Sequence, residues 1–112
     1  MIRVTLTRAG NTVSLRLEGH AGYDVSGKDI VCASASILAY TVAQLIAEMD
    51  VCGRFKETPI VRLNEGDALI EAECKDIKAI EEARRIMHFA KAGYSLLQNS
   101  YPEYIKFVIN EV

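Results

Sequence analysis

The stretch Leu15-Arg16-Leu17-Glu18-Gly19-His20-Ala21-Gly22-Tyr23-Asp24-Val25-Ser26-Gly27-Lys28-Asp29-Ile30-Val31-Cys32-Ala33 is where the chain changes its period. Up to Glu18, apolar and polar residues alternate, the signature of a half-buried strand. From Asp29 onward the residues are Ala-rich helix formers, with Ile30, Ala33, Ile37, Leu38, Val42, Leu45 and Met49 recurring at helical spacing until Gly53 stops the run. A strand therefore hands over to one long helix, from about Asp29 to Cys52, through a loop punctuated by Gly19, Gly22 and Gly27. Upstream, Ile2, Val4 and Leu6 alternate with Arg3, Thr5 and Thr7, and the alternation resumes at Val13 after Gly10-Asn11, predicting a hairpin.

Downstream, the runs Phe55 to Leu63 and Ala68 to Lys75 flank the turn Asn64-Glu65-Gly66-Asp67 and predict a second hairpin. Asp76 is placed to cap a second helix whose stripe is Ile77, Ile80, Ala83, Met87, Ala90, Tyr94 and Leu97, ending near Asn99 before Pro102. Tyr104 to Val112 reads as a last strand. The order β-β-α-β-β-α-β, with no linker or low-complexity segment, predicts a single domain over residues 1–112. Its class is α+β: a two-layer fold in which a mixed, mostly antiparallel five-stranded sheet packs two long helices.

Thirteen Lys and Arg against fifteen Asp and Glu leave a net charge of −2, no footprint for nucleic acid or for an anionic membrane. A basic peptide is tolerated or mildly attracted by such a surface. The three cysteines, Cys32, Cys52 and Cys74, are odd in number and form no C-x-x-C, which argues against a disulfide framework and against a zinc site. No metal and no cofactor are expected, and free thiols suit a reducing compartment. The amino terminus alternates like a strand rather than reading as a signal peptide, and the rest is read as containing no membrane span. The expected location is the cytoplasm.

His20 and Cys32 carry the chemistry. A thiolate attacks carbonyls where a thiol does not, and a free cysteine is mostly protonated at neutral pH unless a helix start or an imidazole lowers its pKa. With Asp29 as N-cap, Cys32 falls in the first helical turn, where unsatisfied backbone N–H groups favour a thiolate and can hold an oxyanion. With Ser26 as the cap and Asp29 as third residue of a capping box, the cysteine sits a turn deeper and the dipole helps less. The sequence leaves both open. In either case Asp29, Cys32, Ser36 and Tyr40 share one helix face and can line a groove. His20 lies on the polar parity of its strand, bracketed by glycines that leave it accessible.

Plainer readings exist for each residue. Cys32 can be a small buried hydrophobe and His20 a solvated strand end. Cys74, on the apolar parity of its strand, and Cys52, at a helix carboxyl end where the dipole opposes a thiolate, read as structural. His88 shares a charged face with Glu81, Arg84, Arg85 and Lys91 and reads as a surface residue. Gly22 to Lys28 also matches G-x-x-x-x-G-K between a strand and a helix, as in a phosphate-binding loop. Asp29 breaks that match: it sets a negative charge where Ser or Thr would ligate magnesium.

Gly19-His20-Ala21, then Gly27, then Asp29-Ile30-Val31-Cys32-Ala33 with Ser36 four residues beyond the cysteine, resemble the signature of the ribosomal-processing cysteine protease (Prp) family of bacteria. The resemblance runs over the whole chain, in length, element order and the start of the first helix. It departs at Ser34-Ala35, where the family commonly has Ala or Val, a change small enough to leave the chemistry intact. The resemblance implies a homodimer that removes a short amino-terminal extension from large-subunit ribosomal protein twenty-seven, cutting after an aromatic residue. It implies His20 and Cys32 as the catalytic pair, Cys32 held as thiolate by His20 and the helix start, and N–H groups near Ile30 to Ala33 as oxyanion donors. Asp29 then orients His20, caps the helix, or does both, and Ser36 supports the site. The loop Ala21 to Lys28, with Gly22, Tyr23, Gly27 and Lys28, is expected to fold over bound peptide beside Tyr40, so the pair can stand apart before substrate arrives. From a different class, a ribosome-associated module that binds the same peptide without cutting it fits the same residues.

Overall fold

The computed structural model describes residues 1–25 and 27–111; Ser26, one of the two expected helix caps, and Val112, the last residue of the expected final strand, lie outside the described residues. Strands β1 (Ile2–Ala9) and β2 (Thr12–Glu18) form the first hairpin, α1 (Ile30–Val51) follows, β3 (Ile60–Asn64) and β4 (Asp67–Glu73) form the second hairpin, and α2 (Ile77–Ser100) leads to β5 (Ile105–Glu111). The sheet order is β3-β4-β2-β1-β5. Every ladder is antiparallel except β1 with β5. The exception has a cause: parallel neighbours need a crossover, and α2 supplies it between β4 and β5.

Register places Val4 opposite Leu17, Leu6 opposite Leu15, Leu15 opposite Ile70 and Leu17 opposite Ala68, so one face of the sheet is a continuous apolar surface. These residues are all buried. The opposite parity, Arg3, Thr5, Ser14 and Arg16 among it, faces away from the helices. α2 adds Ala79, Ala83, Met87, Ala90, Tyr94 and Leu97 to the core, and these include most of its expected stripe; Ile77 at the helix start is 75% exposed instead.

Three expectations are corrected. The third strand begins at Ile60, not Phe55: Phe55 makes an isolated bridge to Cys74, and Pro59 stands between that bridge and the ladder, where a missing N–H breaks pairing. The buried face of α1 is Val31, Ala35, Ala39, Val42, Ala43, Ile46 and Met49, while Ile30 and Ile37 are left 49% and 60% exposed. The small side chains of Ala35 and Ala39 let this face settle close to its neighbours. Apolar residues almost all round α1 mean that periodicity alone does not define its inner face. For the same reason α1 is long and apolar enough by composition to cross a membrane, contrary to the sequence reading; here it packs on α2 and β4.

The site lies at one end of this sheet. Glu18 at the end of β2 pairs with Arg3 on one side and with Asp67 on the other, so the chain leaves the sheet next to the β3–β4 turn. The Gly19 N–H donates to the Gly66 carbonyl at 2.9 Å, tying the start of the loop to that turn. Gly19 itself has φ +87, and a Cβ there would meet the Met1 carbonyl oxygen at 2.6 Å. Only glycine fits between β2 and the chain start.

Candidate active site

Asp29 organises the loop. It is the N-cap of α1, with extended backbone (φ −78, ψ 100), and is only 9% exposed. Oδ1 accepts the N–H groups of Val31 at 3.0 Å and Cys32 at 2.9 Å. Oδ2 accepts those of Tyr23 at 3.0 Å and Asp24 at 3.4 Å. Burial raises the pKa of this carboxyl, but hydrogen bonds from the backbone of Cys32, Asp24 and Tyr23 and from the Cys32 side chain outweigh it and hold the group below its ordinary 3.8. Of the two caps open to the sequence, Asp29 is the one the structure uses.

This arrangement bears on two expectations about Cys32. The N–H groups of Val31 and Cys32 bond to Asp29 Oδ1, and that of Ala33 bonds to the Asp29 carbonyl at 3.0 Å, so three of the expected oxyanion donors already have partners. The thiol, in turn, is pushed above its ordinary 9.0, first by burial and then by the charge of Asp29, its hydrogen bond to that carboxylate and the charge of Glu65; the Ala21 N–H opposes the rise. Burial and the neighbouring Asp29 carboxylate therefore favour the thiol over the thiolate. A carboxylate at the cap cancels the positive end of the helix that would otherwise favour a thiolate.

The Cys32 sulfur accepts the Ala21 N–H at 3.3 Å. His20 is exposed, past the end of β2, and its ring lies against the tip of the second hairpin: a Cβ on Gly66 would stand 2.8 Å from Nε2. Gly66 has φ +73, so both its conformation and the close ring favour glycine. His20 and Cys32 line one cavity of about 720 Å³, together with Asp29, Ser36, Tyr40, Gly22 and Gly27. Leu17, Leu63, Ala68, Ala35 and Ala39 give it apolar walls. Asp24, Asp29, Glu65 and Asp67 also line it, with Asp29 bonded to backbone N–H groups and Asp67 paired with Arg62 at 3.2 Å.

Two expected loop residues lie elsewhere. The Tyr23 ring packs edge-on against Tyr101 at 5.6 Å and Tyr104 at 5.1 Å, fastening the loop to the connection between α2 and β5. Lys28 is exposed and outside the cavity lining, and its N–H closes a turn on the Val25 carbonyl. The phosphate-loop reading fails on the same geometry, because the loop N–H groups of Tyr23 and Asp24 are taken by the Asp29 carboxylate, whose charge repels a phosphate. Cys74 is fully buried, whereas Cys52 is exposed at the carboxyl end of α1 and contributes nothing to the core. His88 is exposed on α2.

Sequence reasoning misses the second hairpin's share in the site. Gly66 seats His20, and Glu65 adds charge beside Cys32, yet Asn64 to Asp67 read only as a turn. The φ demand of Gly66 is legible there; its contact with a histidine far away along the chain is not.

The family model of cysteine protease Prp matches residues 1–106. No curated protein matches the chain significantly. Among solved structures, the chain is similar to an essential ribosomal processing protease Prp from Staphylococcus aureus in complex with a covalently linked product peptide: 25% identity, TM-score 0.73, 100% of each chain covered. A second structure of the S. aureus protease, with a substrate peptide, matches at 22% identity and TM-score 0.69 over 98% of this chain and 100% of that one. SMU.848 from Streptococcus mutans matches at 24% identity and TM-score 0.68 over 100% of this chain and 96% of that one. With a match over nearly its whole length, the chain belongs to the Prp family of cysteine proteases.

Proposed function

We propose that the chain is a cytoplasmic, homodimeric cysteine endopeptidase that removes the short amino-terminal extension of large-subunit ribosomal protein twenty-seven, with Cys32 as nucleophile and His20 as general base and acid. The observation that carries this reading is the shared cavity: a half-buried cysteine in the first turn of α1 and an accessible histidine both line it. The acidic residues in its lining, Asp24 and Glu65 among them, suit a cationic peptide, and its apolar walls suit a hydrophobic side chain.

The reaction starts from the resting thiol. Peptide binding displaces the loop so that the imidazole of His20 takes the Cys32 proton. The sulfur bonds to the scissile carbonyl carbon while the carbonyl π pair moves onto oxygen; collapse expels the amine, which leaves with the proton from His20. Water then adds to the thioester with His20 taking its proton, and the carbon–sulfur bond breaks to give the free carboxyl product and the thiol. Asp29 caps α1 throughout and anchors the loop until peptide displaces it.

The bonded state of the Val31, Cys32 and Ala33 N–H groups favours a second reading, a ribosome-associated module that holds the peptide without cutting it. A labelled peptide spanning the cleavage site separates the two. The peptidase cuts it, and Cys32→Ala binds it uncut; equal cutting by Cys32→Ala removes the nucleophile assignment, and binding without cutting by the wild type establishes the second reading.

A further inference from the structure

The two edges of the sheet differ. At the β5 edge the Phe107 N–H donates to the Gln98 side chain at 2.6 Å, and Arg8 pairs with Glu111. At the β3 edge, among the described residues, no side chain or loop bonds the outward backbone groups. Ile60, Val61 and Leu63 are 49%, 46% and 38% exposed there. Sheet edges are normally blunted by charged side chains, proline, a bulge or a covering element; here Pro59 lies just before the strand, and the strand's one charge, Arg62, is drawn to Asp67 of β4 at 3.2 Å. Val61 and Leu63 pair with the buried Ile70 and Ala68, so they belong to the helix-side face, but α1 packs over β4 and stops short of them. The strand runs into the active-site cavity: Leu63, Asn64 and Glu65 line it with Cys32.

We propose that the outer edge of β3 receives one flank of the substrate as an added antiparallel or parallel strand, which delivers the scissile bond to Cys32. The occupant follows from the peptidase reading, on which this inference rests: an extended peptide is the ligand that both satisfies an open edge and ends at a cysteine. Continuity between edge and cavity favours a substrate flank over the β3 of a second copy. Main-chain pairing supplies affinity, and alternate side chains fall beside Val61 and Leu63 or into solvent. Such a site takes segments that are extended over about five residues, with an apolar residue at every second position on that flank.

The test is a set of peptides spanning the cleavage site, each N-methylated at one backbone nitrogen, assayed for cleavage by the wild type and for binding to Cys32→Ala by fluorescence anisotropy. Strand addition predicts alternation on one flank: methylation at every second position weakens binding about five- to tenfold, and the positions between change little. Uniform or absent effects overturn edge pairing, including the case in which β3 instead pairs with a second copy. Alternating binding without wild-type cleavage sustains the edge and overturns the peptidase reading; cleavage without alternation does the reverse. Absence of both binding and cleavage overturns both.

Discussion

The Asp29 carboxylate holds two loop N–H groups and two helix N–H groups and lowers the acidity of the nearby Cys32 thiol. Its removal therefore separates stability from reactivity. Asp29→Ala loses the cap and should lower unfolding free energy by about 1–2 kcal/mol in urea titration. Asp29→Asn keeps a capping side chain but removes the charge, so the Cys32 pKa should fall. In a Cys52→Ser background, iodoacetamide labelling of Cys32 at mildly acid pH should be slow with Asp29 in place and faster in Asp29→Asn, with mass mapping to assign the label. The sign of the pH effect follows from the lowered folded pKa of Asp29: its stabilisation is complete above the ordinary 3.8 and is lost as pH falls through the lower, folded value. The stability gap between wild type and Asp29→Ala should therefore hold at neutral pH and close in acid.

Gly66 offers a matched pair. Gly66→Ala puts a methyl against His20 Nε2, whereas Gly10→Ala, at φ +60, meets nothing within 4 Å. Both should cost about 1 kcal/mol for the left-handed backbone. On the proposed mechanism only Gly66→Ala should also reduce peptide cleavage, by about tenfold or more, because it displaces His20.

At the scale of elements, the strands are legible wherever one face is wet. β1, β2 and β4 alternate cleanly because the sheet is covered on one side only. β3 reads too long because Phe55 to Leu63 is taken as one run; Pro59 inside it is the local mark of the break, while the pairing of Phe55 with Cys74 apart from the ladder is not legible. α1 is legible as a helix but not in its orientation, since its apolar residues encircle it and its inner face is chosen by partners distant in sequence. One such partner is Tyr94, whose buried hydroxyl donates to the Ala35 carbonyl at 2.9 Å. Burial pushes that phenol's pKa up, so the hydroxyl stays protonated and remains a donor. Tyr94→Phe should lower stability by about 1 kcal/mol in urea, with far-UV circular dichroism unchanged.

At the scale of the whole molecule, Gly19 and His20 meet the β3–β4 turn because β2 lies between β1 and β4, an order that no local pattern encodes. The cysteine, the histidine and the cap are all legible as residue types at a strand-to-helix transition; their resting arrangement is not, because it depends on which N–H groups the Asp29 carboxylate captures. The acidic cavity predicts that kcat/KM for a basic peptide falls as salt rises from about 50 to about 500 mM, roughly severalfold, through screening of its carboxylates.

The most direct measurement is the intact mass of the precursor of large-subunit ribosomal protein twenty-seven after incubation with the wild type, Cys32→Ser and His20→Ala. Thiol chemistry at Cys32 predicts loss of the amino-terminal extension with the wild type, none with Cys32→Ser, and cleavage slowed by orders of magnitude with His20→Ala. An unchanged precursor with the wild type, or full processing by Cys32→Ser, would contradict it.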